Sequence, residues 1–295
     1  MVNVTDAVIL AGGRGTRMLP ASLYTPKEAM PLVDIPVINH LVWEACKAGV
    51  TRVHIVLSRG KKDVLGNFLT STGPLVDDDV RPELPREVLT VASEGLEILL
   101  HVQVSPGGVA DAISVALPSI EGPFLVLLGD NLLMDSHPST IVSGPVSASN
   151  ASAALVERFA ETGVPCAGVL AVSENELFKY GVVELDGDLV QSIIEKPDPN
   201  GAPSPYVLCG RYLLPGNTAE LIEMYPESKY GELQSIAIFK HLIDNGGLEA
   251  IKLEGYELYD SGDPVTWLKS QVDHALRRND IGEEFLRWLK NRVEK

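Results

Sequence analysis

Residues 6–20, DAVILAGGRGTRMLP, join a short apolar run to a glycine-rich turn. The run from Asp6 to Leu10 predicts a buried strand that ends in this turn. Because glycine has no Cβ, the backbone N–H groups of such a loop can approach a phosphate chain closely. Two common phosphate-binding patterns do not fit, since Met18 stands where a Rossmann motif needs glycine and no Gly-Lys-Ser/Thr run occurs. A tight turn without a ligand therefore stays open beside an anion-binding loop.

Apolar strands and helices alternate outward from this stretch. Helical spacing from Val37 to Cys46 predicts a helix closed by Gly49, and residues 53–57 predict the next strand. The pattern recurs as a strand over 98–104, a helix over 109–117 stopped by Pro118, and a strand over 124–128. Strand–helix–strand units of this kind form parallel sheets, and strands that are apolar on both faces indicate helices on both sides of the sheet.

The remainder of the chain departs from this alternation. Residues 71–96, with their prolines and three consecutive aspartates, predict an acidic surface insertion. Short strands are predicted beyond residue 150, over 169–172, 182–185, 189–194 and 207–214, with Asp186-Gly187 as a hairpin turn. Helices over 264–278 and 281–293 close the chain, and we expect Trp267, Phe285 and Trp288 on them to make core contacts rather than an interface.

The net charge of −16, from 24 Lys and Arg against 40 Asp and Glu, argues against nucleic-acid and membrane partners. Both of these partners are anionic and attract basic surfaces. No run of about 18 apolar residues predicts a membrane span, and residues 1–6 lack the basic start and apolar core expected of a signal peptide. The distant Cys46, Cys166 and Cys209 predict small buried residues rather than disulfides or metal ligands. A cytoplasmic location is expected.

Several longer motifs contain the glycine loop and follow it. Leu10-Ala11-Gly12-Gly13-x-Gly15-Thr16-Arg17-x-x-Pro20 precedes Pro26-Lys27-Glu28-x-x-Pro31-Leu32. The others are Gln103-x-x-Pro106-x-Gly108, Gly129-Asp130-Asn131, Tyr180-Gly181-Val182-Val183, Glu195-Lys196-Pro197, Gly210-Arg211-Tyr212, Gly231-Glu232-Leu233-Gln234 and Asp260-Ser261-Gly262. Together they resemble the signature of the sugar-1-phosphate nucleotidyltransferases, and the resemblance extends along most of the chain.

The resemblance implies an enzyme of α/β fold: a Rossmann-like, mostly parallel mixed sheet in three α/β/α layers, the nucleotide-diphospho-sugar transferase fold. It implies one domain, 1–295, with a nucleotide-binding core (1–150), a β-rich sugar-phosphate-binding part (151–262) and C-terminal helices (263–295). The implied reaction transfers a uridylyl group from UTP to glucose 1-phosphate and releases pyrophosphate. Mg²⁺ is the implied cofactor, and a homo-oligomer, dimer or tetramer, is expected.

Site residues follow from the same resemblance. The catalytic cations are Arg17, Lys27 and Lys196, and Asp130 and Asp260 share the Mg²⁺. Nucleotide-binding residues are Leu10, Ala11, Gly12, Gly13, Gly15, Thr16, Gln103 and Gly108. Sugar-binding residues are Gly181, Glu195, Val207 and Gly210. With Arg14, the cations form a local positive cluster in an acidic chain.

Three of these assignments have a structural alternative. Asp130 could form an Asx turn with Gly129, and Asp260 could cap the helix that begins near Pro264. The Glu195–Lys196 pair could be an ordinary surface ion pair before a proline.

The identity of the nucleotide and the presence of activity also stay open. Pro26-Lys27-Glu28 resembles the uridylyltransferase subgroup, whereas Gly129-Asp130-Asn131 resembles the glucose-1-phosphate thymidylyltransferases. Asp111 stands where the relatives carry His or Gln. UTP, dTTP or both therefore stay open as substrates, because uracil and thymine differ by one methyl group. An inactive regulatory module that only binds nucleotide sugars is the remaining alternative, although the intact charged residues argue against it.

Overall fold

The structure is a computed structural model, and it describes residues 3–70, 91, 95–135, 148–198, 201–226 and 234–294. Its strands are β1 (Asp6–Leu10), β2 (Pro31–Leu32), β3 (Ile35–Pro36), β4 (Arg52–Ser58), β5 (Glu97–Gln103), β6 (Phe124–Leu128), β7 (Asn131–Met134), β8 (Cys166–Ala171), β9 (Gly181–Asp186), β10 (Leu189–Glu195), β11 (Tyr206–Leu214), β12 (Glu249–Lys252) and β13 (Glu257–Asp260). Its helices are α1 (Val37–Lys47), α2 (Arg59–Thr70), α3 (Gly108–Ser114), α4 (Ala151–Thr162), α5 (Thr218–Met224), α6 (Gln234–Asn245), α7 (Pro264–Arg277) and α8 (Gly282–Val293).

Nine of these strands form one mixed sheet in the order β5-β4-β1-β6-β11-β8-β12-β10-β9. The first four run parallel, and β1 is their centre because Asp6 pairs with both Arg52 and Phe124. Strand β11 reverses the direction and pairs antiparallel with β6 and β8. The parallel half therefore ends beside β11, and a β-rich half of mixed strand direction continues from there, in which β8 and β12 pair parallel.

Alternate residues of the strands pack into two separate hydrophobic cores, one on each face of the sheet. Ala7 and Ile9 pack with α1 and α4 on one face of the sheet, whereas Val8 packs with α3, α5 and α6 on the other. Side chains of a strand point alternately to the two faces, so a strand that is apolar throughout fills both cores. This arrangement is the predicted three-layer α/β/α fold.

The predicted strands and the C-terminal helices are confirmed to within a few residues. The hairpin at Asp186-Gly187 is also confirmed, with Gly187 in the left-handed region at φ +63°. The helix predicted over 109–117 ends instead at Ser114, and Pro118 lies in a separate 3₁₀ turn, Leu117–Ser119. Most of the predicted insertion, 71–90 and 92–94, and the motif residues 231–233 lie outside the described residues. The division into 1–150, 151–262 and 263–295 stays a prediction.

Aromatic side chains on the last two helices differ in burial. Trp267 is half-buried and packs against the core that contains Ile9. Trp288 is 55% exposed and stacks on Phe285 with ring centroids 5.7 Å apart. The prediction of a core contact was therefore wrong for Trp288, because helical spacing alone does not say whether a partner lies beneath the apolar stripe.

The predictions for the cysteines and for membrane spans can be compared directly with the structure. Cys166 and Cys209 are buried, Cys46 is half-buried against the core, and none of the three forms a disulfide. Burial raises the pKa of the Cys166 and Cys209 thiols to about 12. Within the described ranges, no helix combines the length and the apolar character needed to cross a membrane.

A cluster of buried polar groups joins α1 to α7. His40 and His274 meet edge to face with ring centroids 5.4 Å apart. Burial lowers the pKa of His40 to about 3, with His274 adding to the effect, and lowers that of His274 to about 4. Among the described residues, His40 Nε2 and the neighbouring Trp43 Nε1 have no hydrogen-bond partner. Both rings are therefore held neutral in the folded protein.

We predict that stability falls as the pH falls from 7 to 5. The pKa of each histidine is lower in the folded state than the unfolded value of about 6.5, so below pH 6.5 the unfolded chain binds more protons. The contribution of the two histidines to stability is fully present above pH 6.5. It is lost as the pH falls toward their pKa values in the folded state. Between pH 7 and pH 5, each histidine should lower the free energy of unfolding by about 2 kcal/mol. Urea unfolding at both pH values measures it.

His40→Leu should remove about half of this pH-dependent loss, whatever it does to stability at pH 7. Trp43→Phe is the matched control, because Trp43 lies on the same helix and its side chain does not titrate. Equal pH dependence in His40→Leu and the wild type would show that the pair does not control acid stability.

Candidate active site

Strand ends of the parallel half meet at one edge of the sheet, where ligands bind in such folds. The turn after β1 is fixed by two backbone hydrogen bonds: Ala11 N–H donates to Val56 O at 2.9 Å, and Gly129 N–H donates to Leu10 O at 2.9 Å. A Cβ on Gly129 would lie 2.5 Å from Leu10 O, so this position requires glycine. The glycine loop and the Gly129-Asp130 turn are thereby packed directly against each other.

The glycine loop itself faces solvent. Gly13, Arg14, Thr16 and Arg17 are exposed, and Gly15 adopts a left-handed conformation at φ +65°. Its carbonyl accepts a hydrogen bond from Ser22 Oγ at 2.8 Å, which ties the loop to the segment that follows. The loop therefore presents backbone groups and two arginines on an open face.

Two ion pairs join the predicted cations to the predicted metal ligands. Lys27 Nζ lies 2.6 Å from Asp130 Oδ2, and Arg17 lies 2.8 Å from Asp260 Oδ2. Lys27 is almost fully buried, whereas Arg17 is exposed. Both carboxylates stay partly accessible. The structure brings these four residues together although they are distant in sequence.

The two aspartates are adjacent because β7 and β13 form a small antiparallel sheet. Asp260 pairs with Asn131, and Ser261 N–H donates to Asp130 O at 2.8 Å. The helix-cap alternative for Asp260 was wrong, since Asp263 caps α7 by accepting from Thr266 N–H. Neither β7 nor β13 was predicted from the sequence. Strands of only four residues are too short to show a clear alternation of apolar and polar residues.

A buried acid beneath the loop was not predicted as part of the site. Glu28 is fully buried, and both of its oxygens accept from Lys61 Nζ, at 2.7 and 2.8 Å. Lys61 also donates to Ala11 O at 2.9 Å, so it holds the backbone of the loop. Burial raises the pKa of Glu28 and lowers that of Lys61, and each charge opposes the shift of the other. Glu28 stands in the motif Pro26-Lys27-Glu28, but nothing in that motif identifies Lys61 as its partner.

A cleft of about 450 Å³ opens beside the two aspartates, on the side of the β-rich half. Five of the predicted residues line it, namely Gly108, Gly181, Glu195, Lys196 and Asp260. Residues not predicted also line it: Val109, Leu128, Asn131, Lys179, Tyr180, Leu208, Tyr212, Ser235, Ile236 and Phe239. The mixed apolar and polar lining suits a small ligand that has both apolar faces and hydroxyl groups at its edges.

Glu195 ends β10 at this cleft, and Lys196 follows it directly. Glu195 pairs with Gly181 across the ladder, and a Cβ on Gly181 would lie 3.0 Å from Glu195 Oε2. Lys196 has a φ of +45°, which is rare for a residue with a side chain. Its ammonium lies 3.5 Å from Glu195 Oε1 and is largely exposed. A strained backbone at a cleft is typical of functional positions.

Two of the predicted sugar-binding residues lie elsewhere. Val207 is fully buried and packs against Leu177 and Val182, so its side chain does not line the cleft. Gly210 has a φ of +73°, and a Cβ there would lie 2.6 Å from Asn131 Nδ2. Gly210 thus allows β7 to pack closely against β11, and it lies behind the residues that line the cleft.

Comparison with known proteins gives consistent matches over the full length. The family model for nucleotidyl transferases matches residues 6–275. The chain is 31% identical to a UTP–glucose-1-phosphate uridylyltransferase of Haemophilus influenzae, over 97% of this chain and 98% of that protein. It is 30% identical to one of Escherichia coli K12, over 98% and 96%.

Solved structures give the same picture. A UDP-glucose pyrophosphorylase from Acinetobacter baumannii superimposes with a TM-score of 0.85 at 28% identity, covering 98% of this chain and 99% of that one. A UTP-bound UGPase from Acinetobacter baumannii gives a TM-score of 0.80 at 26% identity, covering 97% and 99%.

We predict that Lys61→Met destabilises the protein by about 3–5 kcal/mol, because it leaves the buried Glu28 carboxylate without its partner. Glu28→Gln in the same chain should recover part of this loss, since no charge is then left buried. Urea unfolding at pH 7 measures both effects. Lys62→Met, at an exposed neighbouring position, is the matched control and should change stability by about 0.5 kcal/mol or less. Additive losses in the double variant would show that Glu28 and Lys61 do not act as a pair.

Proposed function

The chain belongs to the nucleotidyl transferase family, and from this premise we propose that it transfers the uridylyl group of UTP to glucose 1-phosphate, giving UDP-glucose and pyrophosphate. The observation that carries the proposal is the identity of about 30%, from end to end, with relatives named UTP–glucose-1-phosphate uridylyltransferase. The positively charged loop at the strand ends supplies what this reaction needs in a chain of net charge −16.

The reaction needs no nucleophile from the protein. A phosphate oxygen of glucose 1-phosphate forms a bond to the α-phosphorus of UTP, and the bond from that phosphorus to the oxygen bridging to the β-phosphate breaks. Catalysis is therefore positioning together with stabilisation of negative charge. Both substrates are polyanions, so cations that approach them are the main requirement.

In this proposal the glycine loop holds the nucleotide. Leu10, Ala11, Gly12, Gly13, Gly15 and Thr16 offer backbone groups along an open face, and Gln103 and Gly108 contact the base. Arg17 and Lys27 bind the triphosphate. Each of these cations is paired with a carboxylate before substrate arrives. A bound triphosphate therefore competes with Asp130 and Asp260 for Arg17 and Lys27, and this exchange frees the two carboxylates.

We propose that Asp130 and Asp260 hold Mg²⁺. Their chemistry fits this ion, because Mg²⁺ is usually bound through one or two carboxylates together with phosphate oxygens of the substrate. Their placement on paired strands also fits, since Asp260 lies opposite Asn131. Within the described residues, no cluster of three or more His, Cys, Asp or Glu side chains forms a metal cage. The bound ion would supply neutralisation of phosphate charge.

The cleft beside Asp260 is the proposed sugar site. Glu195 accepts hydrogen bonds from sugar hydroxyls, Lys196 pairs with the sugar phosphate, and Gly181 leaves room for the ring. Lys179 lines the same cleft and adds a second cation near Lys196. We assign Gly210 a role in the packing behind this cleft, and Val207 a role in the hydrophobic core beside it.

Thymine fits the same proposal, because it differs from uracil by one methyl group, which a pocket discriminates by about 1–3 kcal/mol. We therefore propose UTP as the main substrate and dTTP as a second one. A cytoplasmic location accords with these phosphorylated substrates.

We predict that pyrophosphate release, measured with each of four nucleoside triphosphates and several hexose 1-phosphates, is fastest with UTP and glucose 1-phosphate and requires Mg²⁺. Asp130→Asn should lower this rate at least about 100-fold and leave the protein folded, with a lower unfolding midpoint because the buried Lys27 loses its charged partner. Asp63→Asn, at an exposed position on α2, is the matched control. Absence of release with every pair would exclude the proposed activity and favour a binding module. Near-normal turnover in Asp130→Asn would remove this residue from the metal site.

We also propose that the chain forms a homo-oligomer through its C-terminal helices. Large apolar side chains are exposed there, including Val265, Leu268, Trp288 and Val293. We predict that light scattering after size exclusion gives at least twice the mass of the monomer, and that Leu268→Glu lowers it. Met224→Glu, at an exposed apolar position on α5, is the matched control. A monomeric wild type would exclude the proposal.

A further inference from the structure

The amide of Gln103 is held by the carboxylate of Asp111. Gln103 is the last residue of β5, and its Nε2 donates to Asp111 Oδ2 at 2.6 Å. The same nitrogen lies 3.3 Å from Gly108 O. Both protons of the amide nitrogen therefore point toward acceptors on the first turn of α3.

The chemistry of these partners fixes the orientation of the amide. An ionised carboxylate and a backbone carbonyl only accept hydrogen bonds, so the NH₂ end of Gln103 must face them. The opposite orientation would place Gln103 Oε1 against Asp111 Oδ2, with two acceptors in contact. Oε1 is instead turned toward the glycine loop, where a Cβ built on Gly12 would lie 3.0 Å from it.

The backbone before α3 is shaped around the same carboxylate. A Cβ on Gly107 would lie 2.7 Å from Asp111 Cγ and 2.8 Å from its Oδ2. The carboxylate thus packs directly on a residue without a side chain. Gly12 on one side and Gly107 on the other leave Gln103 and Asp111 little room to rearrange.

We infer that Asp111 is a positioning residue for base selection: it turns Gln103 so that only an acceptor faces the nucleotide. This inference rests on the proposed function, in which Gln103 contacts the base. Uracil and thymine carry an N3–H donor that an acceptor can bind, whereas cytosine in the same position presents the N3 lone pair. The fixed orientation of the Gln103 amide therefore favours UTP and dTTP over CTP.

Asp111→Asn tests this directly, because asparagine has the same shape but offers either an acceptor or a donor to Gln103. Only the longer contact to Gly108 O then selects the orientation of the Gln103 amide, so the flipped orientation becomes accessible. Calorimetric titration with UTP and with CTP is the measurement, so the result does not depend on turnover. We expect the ratio of the two dissociation constants to fall about tenfold, chiefly through tighter binding of CTP, with UTP binding changed only a few-fold.

A double-mutant cycle separates this role from ordinary packing. In a Gln103→Leu background, Asp111→Asn should leave the ratio unchanged, because the group through which it acts is gone. An equal loss of UTP and CTP binding in Asp111→Asn would overturn the inference and leave a structural role. So would an unchanged ratio, or a wild type that does not distinguish UTP from CTP. Failure of pyrophosphate release with intact UTP selectivity would instead overturn the proposed reaction alone.

Discussion

A buried ion pair between Arg211 and Glu44 connects the parts of the structure on which the site depends. Arg211 Nε and Nη2 donate to the two oxygens of Glu44 at 2.7 and 2.8 Å, and both side chains are buried. Glu44 also accepts from Ser152 Oγ on α4, and Arg211 donates to Asn131 O at 2.9 Å. One pair thus joins α1, α4, β11 and β7. Because each charge would be very costly to bury alone, these elements must assemble together.

Contact with the Asn131 carbonyl links this pair to the chemistry. Asn131 follows Asp130 directly and lies opposite Asp260 in the small antiparallel sheet. The guanidinium therefore fixes the strand that carries one aspartate and, through the ladder, the strand that carries the other. A second buried pair, Glu28 with Lys61, fixes the opposite side of the site through the Ala11 carbonyl. The pairs of Arg17 with Asp260 and of Lys27 with Asp130 differ from these two buried pairs, because their carboxylates stay partly accessible.

Much of the fold was predictable from sequence because its signals are local. Continuous apolar runs such as 124–128 predict buried parallel strands, and Asp186-Gly187 predicts a hairpin from two residues alone. The position of the glycine loop after β1 was predictable because its motif is contiguous. Lys61 could not be found, because the partner of a buried acid is set by tertiary packing and lies 33 residues away from Glu28. Trp288 was assigned to the core because the periodicity of a helix shows an apolar stripe but not what covers it.

Close backbone approach explains why so many of the motif residues are small. Gly129 lies against the Leu10 carbonyl, and Gly210 lies against Asn131, at distances that a Cβ would not permit. A Cβ on Gly262 would come within 3.4 Å of Asp260, Arg17 and Lys27, at 3.0, 3.1 and 3.3 Å. The glycines therefore do more than allow turns. By removing side-chain volume between strand ends, they let cations and carboxylates from four separate segments share one small region, and this density of charge is what joining two phosphate-bearing substrates requires.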